Sequence, residues 1–209
     1  MFETVTDFGD ATLILPAALT LLAYLWTTGA RRIALSFGAS LALSMLLLIL
    51  SKVCFRSCGA WSAALDIVSP SGHAAMATLF YGCGAMLLAR GRSQRVQLAL
   101  GFFAMALIAA VAISRIALGF HTGQEVAAGL SIGLIGLALF RAASPAASDV
   151  LPAPRAALAA FALIALLSHG EHIDAERWIA QLSSEFRGPA GVCTVSSPAP
   201  FLGPTARSS

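Results

Sequence analysis

Charge is what this sequence has least of. Only 11% of its 209 residues are Asp, Glu, Lys or Arg, where a water-soluble domain of this size carries roughly 25%. Most of the surface therefore does not meet water. The formal net charge is only +3, and no basic run with interleaved aromatics occurs, which argues against a nucleic-acid partner. Cysteine is scarce. Cys54, Cys58, Cys83 and Cys193 form no paired C-x-x-C pattern, which excludes the common zinc-ribbon designs. No carboxylate cluster suited to magnesium stands out either, so no metal or cofactor is expected. The start of the chain, Met1-Phe2-Glu3-Thr4, lacks a basic region before the first apolar block, so no cleavable leader is expected.

Long apolar runs are what the sequence has in abundance. Hydrophobic residues make up 58% of the chain, and the mean hydropathy is +0.83. These residues fall in uncharged blocks long enough to read as bilayer spans. About six are expected, at 11–28, 33–50, 71–89, 96–113, 122–140 and 156–168; the last is short, and tilt or an interfacial position would accommodate it. The fold class is all-α, an integral membrane helical bundle over residues 1–168. A polar C-terminal tail, 169–209, is expected to be partly disordered. Tyr81, Gly82 and Gly84 suggest close helix packing in the third span. Cys83, in mid-span, reads as packing. Cys54 and Cys58 lie four apart, and either could pair with the other or with Cys193; unpaired small hydrophobes are the alternative. His169, Glu171, His172 and Asp174 read as polar residues at a span exit.

Cationic residues fix the orientation. Arg31, Arg32, Arg90, Arg92, Arg95, Arg141 and Arg155 fall in one set of connections, and Lys52, Arg56 and Arg115 in the other. Seven against three places the first set in the cytoplasm. The second set, the N-terminus and the tail then face outward.

The outward connections hold nearly all of the reactive groups. Lys52 ends the second span. Ser69-Pro70-Ser71-Gly72-His73 opens the third. Ser114-Arg115, His121 and Glu125 lie at the junction of the fourth and fifth. Ser69-Pro70 reads as a helix N-cap with Pro at the first helical position. Backbone N–H groups of Ser71, Gly72 and His73 would then face outward as an anion site. Lys52 and Arg115 add positive charge suited to phosphate oxygens. One histidine can attack phosphorus while the other protonates the leaving oxygen. Glu125, one turn after His121, can hold the imidazole as the acid of a Ser-His-Asp triad does. It also completes a capping box with Thr122, and the two roles are compatible. Bland readings stand beside these: Lys52 as an anchor past a span, and Arg115 as a snorkelling side chain.

These residues resemble the type-2 phosphatidic acid phosphatases, which share an active-site pattern with the vanadium haloperoxidases. The pattern has three parts: a Lys followed by Arg-Pro, a Pro-Ser-Gly-His, and a Ser-Arg-x5-His-x3-Asp. Pro70-Ser71-Gly72-His73 matches the second part. Ser114-Arg115 and His121 match the third at the right spacing. The resemblance implies His121 as the nucleophile that forms a phosphohistidine and His73 as general acid. It implies phosphate binding by Lys52, Arg115, Ser71 and Gly72. Two departures accompany it. Glu125 stands where the family has Asp, and Gly59-Ala60 occupies the place of Arg-Pro, leaving Arg56 as a stand-in.

The expected activity is metal-independent hydrolysis of a lipid phosphate monoester or a polyprenyl or lipid diphosphate at the outer face of a membrane. The partners are then the lipid substrate and the phospholipid bilayer. A bacterial inner membrane with the site facing the periplasm is the expected location. Lipid phosphotransfer is a close variant. The rival is a catalytically impaired protein that binds phospholipid headgroups or acts as a membrane scaffold. A transporter has no inverted repeat or mid-span charge to support it.

Overall fold

The structure, a computed structural model, describes residues 2–57, 67–144 and 154–168. Most of them are helical, and there is no strand among the described residues. In chain order they are α1 Phe2–Asp7, α2 Ala11–Thr27, α3 Arg31–Ser57, α4 Gly72–Leu88, α5 Gln94–Ala117, α6 Gly123–Ala143 and α7 Pro154–Leu167. Four segments are long and apolar enough to cross a membrane: Phe2–Thr27, Arg31–Arg56, Gln94–Ala117 and Gly123–Ala143; Gly72–Leu88 and Leu158–Leu167 are shorter apolar helices. Together these agree with about six spans.

Two boundaries move. α3 runs on to Ser57, well past the span end expected at residue 50. Lys52 and Arg56 thus share one continuous helix, a turn apart. α5 runs on to Ala117, so Arg115 sits in its last turn and not in a loop. In both helices the apolar block stops before the backbone hydrogen bonding does. Hydropathy measures the first, whereas the second ends only at a capping signal.

α4 lies at the centre of the bundle, packed on α5 and α6, with α3 closing on α6. Small residues permit this. A Cβ at Gly129 would collide with the backbone carbonyl of Ser71, so α6 approaches the start of α4 as closely as glycine permits. Gly82 likewise packs against Leu137, whereas Gly84 faces open space and takes no part in helix packing. Phe37 of α3 and Phe140 of α6 meet edge to face at 6.2 Å, and both are fully buried. Cys83 is buried in α4, as expected for a packing residue, and Cys54 is exposed on α3. Cys58, Cys193 and the 169–174 polar cluster lie outside the described residues.

The outer faces are apolar. Leu98, Phe102, Phe103 and Met105 of α5 are all strongly exposed, a surface suited to lipid and unsuited to water. Arg31 lies over the Trp26 ring at 5.7 Å, as aromatic and cationic pairs do at a membrane interface. Polar side chains serve orphaned backbone groups. Pro16 has no N–H to give the Thr12 carbonyl one turn earlier; the Ser168 hydroxyl donates to that carbonyl at 3.1 Å and ties the end of α7 to α2. The Ser36 hydroxyl similarly donates to the Ala143 carbonyl, at the end of α6, at 3.0 Å.

Candidate active site

The site gathers at one end of the bundle, where α3 and α5 finish and α4 and α6 begin. α5 ends at Ala117 with Leu118 as its C-cap, followed by Gly119, whose φ of +71° is a left-handed conformation that glycine adopts freely. The chain folds back. Gly119 N–H donates to the Ile116 carbonyl at 2.9 Å, and Phe120 N–H and His121 N–H both donate to the Arg115 carbonyl, at 3.1 and 3.3 Å. The Arg115 guanidinium stacks on the Phe120 ring at 4.3 Å. The spacing from Arg115 to His121 is therefore the length of one helix C-cap, which sets the histidine at a fixed place relative to the arginine.

α6 opens immediately afterwards with the expected capping box. Glu125 N–H donates to Thr122 Oγ1 at 3.2 Å, and Thr122 N–H donates to Glu125 Oε2 at 3.1 Å. The same carboxylate oxygen lies 2.9 Å from His121 Nδ1, so Glu125 caps the helix and holds the histidine together. Its other oxygen accepts from the N–H groups of Val68 and Ser69 at 2.9 and 2.8 Å. One side chain thus joins the α5–α6 turn to the segment before α4. The pair is largely buried, with side-chain exposures of 10% for His121 and 8% for Glu125. Burial pushes the His121 ring below its ordinary value, and the Glu125 carboxylate acts against that. A neutral imidazole with Nδ1 held by Glu125 leaves Nε2 as its unengaged nitrogen.

The start of α4 differs from expectation. The N-cap is Ser71, and neither Ser69 nor Pro70 belongs to the helix. Ser71 Oγ accepts from Ala74 N–H at 3.5 Å, and Ser71 N–H donates to the Glu125 backbone carbonyl at 2.9 Å. Ser71 is fully buried. Of the amides expected to face an anion, that of Ser71 is spent inside the protein. Helix geometry leaves Gly72 and His73 N–H without intrahelical acceptors at the positive end of α4. Ser69 Oγ, the atom that would have capped, accepts from the Lys52 ammonium instead, a contact that no local signal encodes.

Lys52 is buried to 2% exposure, and its ammonium donates to Ser69 Oγ at 3.0 Å. A buried, hydrogen-bonded lysine is no snorkelling anchor. Its methylene chain passes beside Gly72. Arg115 is half-buried, and its Nη1 donates to Thr6 Oγ1 of α1 at 3.0 Å. Both imidazoles lie within the field of Lys52 and Arg115. The structure therefore gathers Lys52, Ser71, Gly72, His73, Arg115, His121 and Glu125. Arg56 sits a turn beyond Lys52 near the end of α3, half-buried. Gly59-Ala60 lies outside the described residues.

One participant was missed by the sequence reading. Asp10 Oδ2 lies 3.4 Å from His73 Nε2. Its other oxygen caps α2, accepting from Thr12 N–H at 2.8 Å and Thr12 Oγ1 at 2.7 Å. An Asp directly before an apolar run, with Thr two residues on, is a legible helix-start signal. The pairing with His73 has no sequence signature.

The arrangement suits phosphoryl transfer. It offers two cations, a helix N-terminus, a neutral imidazole held by a carboxylate and a second imidazole. Comparison with known proteins agrees. The model of the PAP2 superfamily matches residues 33–149, more than half of the chain, which includes Lys52, Ser71, Gly72, His73, Arg115, His121 and Glu125 but not Asp10. A Klebsiella pneumoniae protein described as "Uncharacterized 22.5 kDa protein in cps region" is 30% identical over 140 residues, covering 66% of this chain and 67% of its own. No solved structure matches. With the family pattern and its geometry in agreement, the chain belongs to the PAP2 superfamily.

Proposed function

We propose that the protein is a metal-independent membrane phosphatase that cleaves the phosphate ester or diphosphate of an amphipathic lipid through a phosphohistidine on His121. The observation that carries this reading is the buried His121–Glu125 pair beside two cations. A structural histidine needs none of that company, and a protein that only binds headgroups needs cations but not two imidazoles.

Lys52, Arg115 and the first amides of α4 bind the phosphate oxygens and offset the charge of the transition state. His121 Nε2 attacks phosphorus. The new N–P bond forms as the bond to the ester oxygen breaks, and that oxygen leaves with the electron pair and takes a proton from His73. Glu125 stabilises the cationic phosphoimidazole through its Nδ1–H. Water then attacks phosphorus, His73 accepts its proton, the N–P bond breaks and phosphate departs. Glu125 reaches one methylene farther than the Asp usual at this position. That length suits its second task, bridging to Val68 and Ser69.

An apolar cavity of about 230 Å³, lined by Leu21, Tyr24, Phe80, Tyr81, Leu107 and Phe161 among others, lies deeper in the bundle. Its Tyr81 wall is eight residues below His73 along α4, roughly 12 Å. That depth is in keeping with a phosphate at the end of the bundle and a tail among the helices. The arginine distribution supports a site on the outer face of the membrane, the periplasmic face of a bacterial inner membrane.

The test is phosphate release by full-length protein in detergent with EDTA present. Phosphatidate, phosphatidylglycerol phosphate, lysophosphatidate and undecaprenyl diphosphate form the panel. Release that survives EDTA and vanishes in His121→Ala is expected. Release unchanged in that variant would sink the nucleophile assignment. Headgroup binding without turnover in folded wild-type protein would favour the binding-protein reading.

A further inference from the structure

The turn between α1 and α2 is built against His73. Tyr81 of α4 donates its hydroxyl hydrogen to the Phe8 carbonyl at 2.6 Å. A Cβ at Gly9 would lie 2.6 Å from Val111 Cγ1 and 3.0 Å from His73 Cβ, so only glycine lets the backbone come this near. Asp10 follows, 7% exposed, with one oxygen doubly bound to Thr12 and the other facing His73 Nε2. Thr6, also buried, joins the preceding helix to Arg115. Four separate contacts fix this turn, so the carboxylate is a rigid part of the site wall.

We propose that Asp10 is a positioning residue for His73, holding the Nε2–H so that Nδ1 is the nitrogen that exchanges a proton with the leaving group. This deepens the phosphatase reading and rests on it. The proton balance is simple. The His73 imidazolium gives its Nδ1 proton to the departing ester oxygen and keeps the Nε2 proton on Asp10. In the second half-reaction Nδ1 takes a proton back from the attacking water. An aspartate facing Nε2 fixes the neutral ring as the Nε2–H tautomer and stabilises the imidazolium. The site then contains two carboxylate–histidine pairs, one for the nucleophile and one for the acid. The N-terminal segment, which precedes the family-matched region at residue 33, supplies the second.

Asp10→Asn tests this, because Asn remains a good N-cap for α2. Its amide oxygen can keep the Thr12 contacts while its NH2 turns to His73, reversing the preferred tautomer. Full-length wild type and variant in detergent are compared on an alkyl phosphate, whose leaving group needs a proton, and on a nitrophenyl phosphate, whose leaving group does not. The expected result is a loss of about 100-fold in kcat on the alkyl ester, with KM little changed, and a much smaller loss on the aryl ester. Imidazole 15N spectra of His73 read the tautomer without turnover and should change from Nε2–H to Nδ1–H. An equal loss on both esters, or an unchanged tautomer, overturns the proposal and leaves Asp10 as a helix cap. A changed tautomer in Asp10→Asn, with a folded wild type that releases no phosphate, keeps the Asp10–His73 pair and overturns the phosphatase reading instead.

Discussion

His121 and His73 each face one carboxylate, yet the two pairs are made in different ways. Glu125 reaches His121 across a single turn, from the first turn of the helix that follows it, at 2.9 Å. Asp10 reaches His73 from another part of the chain at 3.4 Å, and a glycine contact and a tyrosine hydrogen bond hold it there. The first pair is a local structure with a long-range duty, since Glu125 also carries the N–H groups of Val68 and Ser69. The second is a long-range contact with a local duty, since Asp10 also caps its own helix. In both, one carboxylate oxygen faces an imidazole while the carboxylate also accepts from backbone N–H groups: Glu125 from Val68, Ser69 and Thr122, Asp10 from Thr12. A side chain that must satisfy buried backbone donors has little freedom to wander, which is how a carboxylate becomes a fixed point in a catalytic site.

The sharpest way to break the symmetry is to remove the rings themselves. His121→Ala should abolish turnover, by about 10⁴-fold or more, because no bond to phosphorus can form. His73→Ala should lose roughly 10² to 10⁴-fold, and less on esters with good leaving groups. Steady-state kinetics on the two esters separates these outcomes. An equal, ester-independent loss in both variants would mean that the rings do not divide the labour of attack and protonation.

Removing the carboxylates comes next. Glu125→Gln should cost roughly 10² to 10⁴-fold in kcat by analogy with the acid of a Ser-His-Asp triad. It should also lower stability by about 1–3 kcal/mol, as donors to the carboxylate lose their partner. Asp10→Asn should cost less, about 100-fold, and chiefly where the leaving group needs a proton. A Glu125→Gln variant with full activity would show that the capping box is the whole role of this residue.

The pH dependence sharpens the first pair further. Burial disfavours the charged His121 ring, and Glu125 opposes that without cancelling it. The ring is therefore neutral, and able to attack, from below its ordinary value of about 6.5 upward. The acid limb of kcat/KM, corrected for the ionisation of the substrate, should lie under that value. It should move lower again in Glu125→Gln, where nothing offsets desolvation. An acid limb at or above the ordinary value would count against His121 as the group that titrates.

The smallest effect belongs to the scaffold of the second pair. Tyr81→Phe removes the hydroxyl that holds Phe8 and should cost about 1 kcal/mol in stability, with a several-fold fall in kcat. Thermal unfolding in detergent and the alkyl-ester assay check it. No change in either would mean that Gly9 packing alone secures the turn.

Much of this site was legible before any coordinates. The cap of α5 spends five residues between Arg115 and His121, and the capping box sets Glu125 four beyond His121. Both are consequences of hydrogen bonds that close within one or two turns, so the spacing of residue types records them. Where the N-cap of α4 falls was not legible. Ser69-Pro70 has the better local pattern, but Ser69 Oγ accepts from Lys52 and Ser71 Oγ accepts from Ala74 N–H, so Ser71 is the cap.

The amino-acid sequence by itself determined that the chain forms apolar helices, and it set Glu125 four residues after His121 as both a capping residue and a candidate partner for the imidazole. Helical periodicity and capping are short-range energies, and short-range energies leave short-range signatures. Only the tertiary structure decided that Lys52 is buried on Ser69, that Glu125 bridges two segments, and that Asp10 faces His73. Those contacts exist because glycines at positions 9 and 129 let helices and turns approach to backbone distance. Which backbone meets which is set by the packing of the whole bundle, and no window of sequence contains that information.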